Sequence, residues 1–515
     1  MILTSKRKAI VIGAGPGGLA SAMLLAGGGY DVAVYEKQPY IGGRTSRLEF
    51  EGYAFDRGAT FLMMPQLLEE LFESVGRSLH QYVDLVELDP LYQLRFGETR
   101  MDATRNREVM KERIEELFPG NGEGYVRFMK EEKLKFDAIA PLLKRPISRI
   151  TDYIRTDVVK ALPKLNAFDT VYGRLSKYYN DERLKYAFTF QAKYLGMSPW
   201  ECPGTFSILS YLEHEYGLFH PIGGVNAVCE AMAAVVQEYG GTVNTSTGVK
   251  KVLSQHGRAN GVLLENGEKI EADHVVINAD FATAASKLFE DGQLKKYTPE
   301  YISSRKYSCS TFMLYLGIDG AVDLPHHTVV FSEDYPKNVD EITRQGVLSA
   351  DPSIYVHNPS ALDPTLAPAG QSALYVLMPV PNLAGVSNWE DIQQEIRSSV
   401  LSRLEQEPEL AGLSSRIRAE KMITPLDWQE QYHVYRGATF NLAHSLDQMM
   451  HRRPHNRFEE LEHCWLVGGG THPGSGLPTI WESARISVKL LMEQDVSEGV
   501  KMAPRYSAQE VPVWK

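Results

Sequence analysis

Apolar and polar positions follow two rhythms along this chain. Short apolar runs, Ala9-Ile10-Val11-Ile12, Val32-Ala33-Val34-Tyr35 and Val275-Val276-Ile277, read as strands, the last ending in the small and polar Asn278-Ala279-Asp280. Alternation predicts strands over 84–97 and 307–318, with others near 328–331 and 372–378. Four short strand candidates at 242–245, 248–253, 260–264 and 269–272 are punctuated by the hairpin turn Glu265-Asn266-Gly267. Residues 50–61 read as a small hairpin turning at Gly52. Helical spacing appears over 65–78, 106–118, 124–139, 226–239, 389–406 and 479–492, and more weakly over 427–435. Pro119-Gly120 and Gly240-Gly241 stop two of these helices. After Asp495 the chain is polar and reads as a loose tail.

The first apolar run leads into Gly13-Ala14-Gly15-Pro16-Gly17-Gly18, an Ala- and Leu-rich helical stretch, and then the second run, which ends at Glu36. This is the G-x-G-x-x-G dinucleotide fingerprint in its strand, turn and helix setting. Gly13 permits the tight turn, Gly15 lets the backbone approach a pyrophosphate, and Gly18 lets the helix pack on the strand. The free N–H groups of the helix start would hold the pyrophosphate. Glu36, 18 residues beyond Gly18, is placed to accept hydrogen bonds from an adenosine ribose. Gly42-Gly43-Arg44 follows, a second close backbone approach with a guanidinium available to a phosphate.

Near the other end, Trp465-Leu466-Val467 again runs into glycines, and a helix starts at Pro478. Its dipole favours negative charge at its N-terminus, which in a reduced flavin falls at N1 and C2=O. A permanent second cradle favours FAD over NAD. No second G-x-G-x-x-G occurs in a strand–helix setting, so electrons are expected to enter from the organic substrate itself.

Composition narrows the function further. The 515 residues are 43% hydrophobic and 23% charged, which fits a globular chain of several domains. A net charge of -11 argues against a general nucleic-acid binder. Cys202, Cys229, Cys309 and Cys464 are far apart and read as buried thiols rather than a zinc knuckle or redox dithiol. His444, His451, His455 and His463 lack ligand spacing, so no metal is expected. There is no run of 18 apolar residues to span a membrane, and the opening run is too short for a signal peptide. Asp56 beside Arg57-Gly58 reads as a structural acid paired with an arginine.

Two segments carry a double reading. Residues 142–164 set six basic side chains against two acidic ones, interleaved with Ile147, Ile150, Tyr153, Ile154, Val158, Val159 and Leu162. Such a helix lies on an anionic bilayer or packs as an ordinary surface helix. Residues 178–216 hold Phe188, Phe190, Tyr194, Trp200, Phe206, Tyr211 and Tyr216, which line an elongated apolar pocket or fill a helical core.

The GAGPGGLASA opening, YEKQPYIGGRTSR, AFDRGAT, FHPIGG, VVINAD and the final RPHNRFEELEHCWLVGGGTHPGSGLPTIWESAR resemble the bacterial-type carotenoid desaturase family, from about residue 8 to 492. That group is similar to phytoene and dehydrosqualene desaturases within the amine-oxidase-like FAD superfamily. The resemblance implies an α/β fold. A Rossmann-like FAD-binding domain would be assembled from residues 1–80, 218–290 and 461–493. Substrate-domain strands would come from 81–105 and 291–460, a helical, membrane-associated region from 106–217, and a tail from 494–515. It places Gly13, Gly15, Gly18, Glu36, Lys37, Gly43, Arg44, Thr45, Gly58, Thr60, Val249, Asp280 and Gly469 at FAD. Pro473, Gly474, Gly476, Leu477 and Pro478 would lie against the isoalloxazine, with His472 as the catalytic candidate or a hydrogen-bonding support.

The implied reaction is desaturation of an acyclic C30 or C40 polyene drawn from the bilayer into a long apolar tunnel. A hydride leaves for flavin N5 and the neighbouring carbon loses a proton, the cofactor carrying the hard step. The implied setting is the cytoplasmic side of a bacterial membrane, with quinone or oxygen as electron acceptor. The nearest rival is oxygen-dependent oxidation of a terminal methyl of a C30 carotenoid to an aldehyde. Saturation or isomerisation of a carotenoid or retinoid, amine oxidation and a non-enzymatic polyene carrier rank lower. Substrate length and oligomeric state stay open.

Overall fold

In the computed structural model, which describes residues 6–500, five short strands from three distant stretches share one parallel sheet. They are β1 (Lys8–Ile12), β2 (Asp31–Tyr35), β3 (Thr242–Asn244), β4 (His274–Ile277) and β5 (Cys464–Leu466), in the order β3-β2-β1-β4-β5. Every neighbouring pair is parallel, with Ile12 level with Tyr35 and Ile277, and Ile277 level with Leu466. The strands therefore end together, and Gly13, Glu36, Asn278 and the glycines after Val467 gather at one edge. Ligands of open α/β sheets bind at that carboxyl edge.

Between β1 and β2 runs α1 (Pro16–Gly27), buried over nearly its whole circumference. It is enclosed by the sheet, by the helix Asn226–Glu238 and by α2 (Leu477–Ser497), which is why its sequence is small and apolar on every side. Gly18 makes the closest approach: a Cβ there would collide with the Gly13 carbonyl oxygen.

A second, seven-stranded sheet is mixed. Its order is Ile417–Ile423, Ser310–Ile318, Ser372–Val380, Ile354–His357, His327–Val330, Tyr92–Phe96, Thr99–Ala103, antiparallel except where His327–Val330 meets Tyr92–Phe96. Ser310–Ile318 is buried at every position, as a central strand covered on both faces must be. The helical region is led by Arg107–Leu117 and Gly122–Leu143. The large core under α1 continues into it through Tyr125, Phe128, Phe188 and Tyr211.

Several expectations are corrected. The predicted strand at 84–97 is two strands in different sheets. Leu85–Glu87 pairs with Leu218–Pro221, while Tyr92–Phe96 joins the large sheet, and Pro90 between them lacks the N–H a ladder needs. The 65–78 helix ends at Glu73. The basic segment 142–164 is not one helix. Helix Gly122–Leu143 stops just before Pro146, and short turns Ile150–Ile154, Thr156–Ala161 and Leu162–Lys164 follow. A proline disfavours the helical conformation of the residue before it, here Arg145. The tail begins later than expected, because α2 continues to Ser497. Buried Asp495 anchors it, accepting hydrogen bonds from Arg7, Tyr30 (2.6 Å) and His274 (3.0 Å). Residues 501–515 of the predicted tail lie outside the described residues.

Candidate active site

The glycine turn after β1 is shaped by one side chain that the motif does not mention. Asn278, directly after β4, puts its side chain where Cβ atoms on Gly15, Gly17 and Gly18 would meet it, at 2.8 Å for Gly15 and Gly17, and its backbone carbonyl where one on Gly13 would. The first helical N–H groups of α1 consequently open on a cavity without a side-chain cap, Gly15 being the N-cap residue. Glu36 is buried beside them and accepts from the Ala14 and Gln38 amides, both at 2.8 Å. Burial raises its pKa against the pull of those amides. Each carboxylate oxygen has two lone pairs, so acceptor capacity remains.

The second glycine segment lies directly opposite. A Cβ on Gly43 would be 3.4 Å from the Gly15 Cα, and one on Gly58 would collide with the Arg44 carbonyl oxygen. Arg44 donates to Asp280 at 2.8 Å and to the Thr439 carbonyl at 3.1 Å. Asp280 also caps the helix Phe281–Lys287 through the Thr283 amide. Thr45 turns inward to the Gly42 carbonyl, Thr60 bonds the Tyr355 hydroxyl at 2.7 Å, and Lys37 pairs with Glu265 at 2.9 Å. Asp56 does not pair with an arginine side chain as expected; it is buried and accepts from the Val225 amide at 2.7 Å. Burial pushes its pKa up to about 7. Arg57 is instead stacked between the rings of Tyr40 and Tyr432.

The C-terminal glycine loop is held from below by Arg453, which is fully buried. Its guanidinium donates to the Gly469 carbonyl at 2.6 Å and the Thr471 carbonyl at 3.2 Å. Burial lowers its pKa to about 9, which leaves it cationic at neutral pH. His444 Nε2 accepts from the Ser475 amide at 3.0 Å, and Gly474 is required there because a Cβ would come within 2.8 Å of that nitrogen. His472 Nε2 donates to the Arg145 carbonyl at 2.9 Å, which ties the loop to the start of the basic segment. Desolvation lowers the His472 pKa to about 4, so the ring is neutral. Gly476 is the N-cap of α2, with Leu477 and Pro478 opening the helix, no side-chain cap and no acid in its first turn.

Gly13, Gly15, Glu36, Gly43, Arg44, Asp280, His444 and the loop 472–478 border one cavity of about 910 Å³, at the upper end of the ~300–1,000 Å³ usual for small-molecule sites. Among the sequence-predicted site residues, Gly13, Gly15, Glu36, Lys37, Gly43, Arg44, Thr45, Gly58, Thr60, Val249, Asp280, Gly469, His472, Pro473, Gly474, Gly476, Leu477 and Pro478 line it. Gly18 does not; it serves helix packing. Away from the strand ends the walls become apolar, with Phe136, Ile139, Leu142, Leu165, Ile208 and Leu209. The aromatic segment divides: Phe190, Tyr194 and Phe206 line the cavity, whereas Phe188 and Tyr211 fill the core. Lys193 also lines it, over the ring of Tyr335 at 4.7 Å, and burial lowers its pKa to about 8.

Sequence reasoning missed Asn278, His444, Arg453 and Lys193 as site residues. Only Asn278 carried a signal, as the polar residue ending a buried strand. The four histidines weighed for a metal do not form a cluster: His451 bonds Tyr153, His455 pairs with Glu459, and His463 bonds Glu498. Three others do converge, His220, His326 and His357.

The residues fit a flavin dinucleotide. Two uncapped helix N-termini face one cavity, the glycines leave backbone where Cβ atoms would intrude, and Glu36 keeps free lone pairs. Comparison with known proteins agrees. A 4,4'-diapophytoene desaturase (4,4'-diapolycopene-forming) of Methylomonas sp is 46% identical over 492 residues, covering 96% of each chain. A zeta-carotene-forming phytoene desaturase of Myxococcus xanthus is 36% identical over 98% of each. An oxidoreductase from Methanosarcina mazei shares the fold, with a TM-score of 0.61 at 20% identity over 94% of this chain and 100% of its own. The family described as flavin containing amine oxidoreductase matches residues 16–488, and FAD is the cofactor. The chain belongs to the flavin containing amine oxidoreductase family, close to the bacterial phytoene and diapophytoene desaturases.

Proposed function

We propose that this enzyme desaturates an acyclic carotenoid precursor of the phytoene or 4,4′-diapophytoene class, and that its own substrate is the C30 member. The observation that carries this is the cavity itself: it runs unbroken from the buried acid Glu36 to walls of Phe, Ile and Leu. Phe, Ile and Leu side chains offer no hydrogen-bond partners, which suits a hydrocarbon chain. The C30 assignment follows the 46% identical relative, whose name specifies 4,4'-diapophytoene.

When bound, FAD supplies a hydride acceptor at its N5 atom. The protein's part is mostly placement. Gly13, Gly15, Glu36, Gly43 and Arg44 would hold the ADP half, and residues 472–478 the flavin ring. The N-terminus of α2 and buried Arg453 put positive potential beneath that loop. The apolar walls exclude water and align the allylic C–H bonds. We assign Lys193 to take up the proton, since it lines the same cavity and its amine becomes neutral near pH 8.

Ile150, Ile154 and Phe168 are 73%, 79% and 99% exposed, beside Arg149, Arg155, Lys160 and Lys164. On the inner side of the same segment, Leu142, Ile147 and Leu165 border the cavity. We read this segment as the contact with an anionic bilayer, here the cytoplasmic leaflet of a bacterial membrane, through which the polyene enters. No described helix is long and apolar enough to cross a membrane. Quinone in the same bilayer or oxygen takes the electrons. The chain divides, on this reading, into the flavin, substrate and helical parts predicted from the sequence.

The test is anaerobic incubation of FAD-loaded protein with 4,4′-diapophytoene or phytoene in liposomes, following flavin absorbance and product chromatography. Flavin bleaching with a longer chromophore from the C30 compound is the expected result, and added quinone should restore turnover. Aldehyde formed from an already coloured carotene, and then only in oxygen, would replace this reading with terminal oxidation.

A further inference from the structure

Behind the cavity wall lies a histidine cluster that the desaturation reaction leaves unused. His220 comes from strand Leu218–Pro221, His357 from strand Ile354–His357, and His326 immediately precedes strand His327–Val330. All three are at least nine-tenths buried. One nitrogen from each lies within 4.8 Å of the others. The nitrogens have been sorted by their hydrogen bonds. His220 Nε2 is bound to Asp363 Oδ2 at 3.1 Å, and His326 Nδ1 to His327 Nε2 at 3.0 Å. That leaves His220 Nδ1, His326 Nε2 and both nitrogens of His357 without a hydrogen-bond partner among the described residues.

Buried polar atoms in native proteins are nearly always partnered, and a group of four left bare at one place needs an occupant. We propose that His220, His326 and His357 bind a divalent transition-metal ion, Zn²⁺ being the first choice. The chemistry of the donor set supports an imidazole-preferring metal. Asp363 on the far nitrogen of His220 completes a carboxylate–histidine–metal arrangement, and the same carboxylate is fixed by the Gly223 amide at 2.7 Å. Tetrahedral zinc at ~2.1 Å from each nitrogen needs nitrogen separations of roughly 3.4 Å. Small rotations of the imidazoles close that gap, since their terminal torsion is soft. A water would take the fourth position.

The ion would act as a structural tie. It joins the strand carrying His220, which belongs to the small sheet beside the flavin unit, to the substrate sheet, through His357 on one strand and His326 just before the next. From there His326 reaches His327, His327 Nδ1 bonds the Tyr355 hydroxyl at 2.7 Å, and Tyr355 bonds Thr60 on the cavity wall. The metal would thus fix the position of the wall without touching flavin or substrate.

The experiment uses untagged, full-length, FAD-loaded protein, dialysed against a chelator and titrated with Co²⁺ and Zn²⁺. Metal content, visible cobalt d–d bands and thermal midpoint are read together. The expected result is one equivalent of metal per chain with cobalt bands of a histidine site. These should be lost in His220→Ala and His357→Ala, kept in the surface control His80→Ala, and shifted ~10–100-fold to weaker binding in Asp363→Asn. Should the alanine variants fail to fold, X-ray absorption on the wild-type metal complex decides, with three imidazoles expected around the ion. Wild-type protein that takes up no stoichiometric metal, a bound ion without that imidazole shell, or binding unchanged in the folded His220 and His357 variants overturns the proposal.

Discussion

Arg44 and Asp280, 236 residues apart in the chain, form an ion pair at 2.8 Å on the wall of the cavity. The pair joins the second glycine segment to the end of β4, so the site is closed by contacts no local motif contains. Arg44 is also the cation we place against the FAD pyrophosphate. Charge-assisted hydrogen bonds contribute about 1.5–3 kcal/mol. Arg44→Ala should therefore weaken FAD binding by roughly 10–100-fold, read by fluorescence recovery on flavin release. Asp280→Asn, which preserves the helix cap and frees the guanidinium, should weaken it far less. Equal losses in the two variants would mean that the pair only packs the cleft.

Asp495 shows why α2 outruns its predicted end. Its carboxylate is fully buried and takes hydrogen bonds from Arg7, Tyr30 and His274, which hold its pKa well below the usual carboxylate range. A depressed acid contributes stability that is present above its unfolded pKa and is lost as pH falls through the folded value. Removing one partner of a buried pair costs about 3–5 kcal/mol. Asp495→Asn should lower the thermal midpoint measurably between pH 5 and 8, and the gap to wild type should shrink below about pH 4. A constant gap down to pH 3 would assign the effect to packing instead.

How much of this could be read from the residues depended on distance along the chain. The β1–α1–β2 unit and Glu36 were legible because turn, helix and acid lie within one continuous stretch whose glycines each answer a local requirement. Asn278 has the opposite character: its polar place at a strand end hints at a site, but its position matters because of four glycines some 260 residues earlier. The same holds for Arg453 under the glycine loop and for the convergence of His220, His326 and His357. The break in the basic segment is legible in the sequence, since Pro146 stands near the start of the predicted helix. Helical spacing of Ile150, Ile154 and Val158 outweighed it in the sequence, while backbone sterics decide in the structure.

His472 should act by position rather than by proton transfer. Its Nε2–H is committed to the Arg145 carbonyl, and burial keeps the ring neutral with a pKa lowered to about 4. Losing one such hydrogen bond costs about 0.5–1.5 kcal/mol, so His472→Ala should raise KM for the polyene by about 3–10-fold with a smaller change in kcat. No titration from this residue should appear in kcat/KM between pH 5 and 9. A large fall in kcat with KM unchanged would restore it as a catalytic residue.

Lys193 carries the opposite expectation. An amine must be neutral to accept a proton, and burial brings this one down to about pKa 8. Desaturation should accelerate as pH rises through that value. Lys193→Met keeps the bulk of the side chain and removes the base, so activity should fall by about 100-fold or more and the alkaline rise should vanish. Retention of the wild-type profile in Lys193→Met would move the proton to another acceptor.

The exposed apolar residues of the 142–168 segment separate membrane delivery from chemistry. Ile150, Ile154 and Phe168 stand out of the surface among basic side chains and do not line the cavity. Burying each in the acyl boundary gains roughly 1.5–3 kcal/mol, and neighbouring cations add attraction to anionic lipid. Replacing all three by Asp should abolish sedimentation with phosphatidylglycerol vesicles at physiological salt. The flavin complement and thermal midpoint should stay at wild-type values, because no core contact is lost. Turnover should fall at least tenfold when the polyene is presented in vesicles, yet remain near wild type when it is presented in detergent micelles. A variant that loses both activities equally would show that the segment shapes the cavity itself, and one that keeps vesicle binding would place the membrane contact elsewhere on the surface.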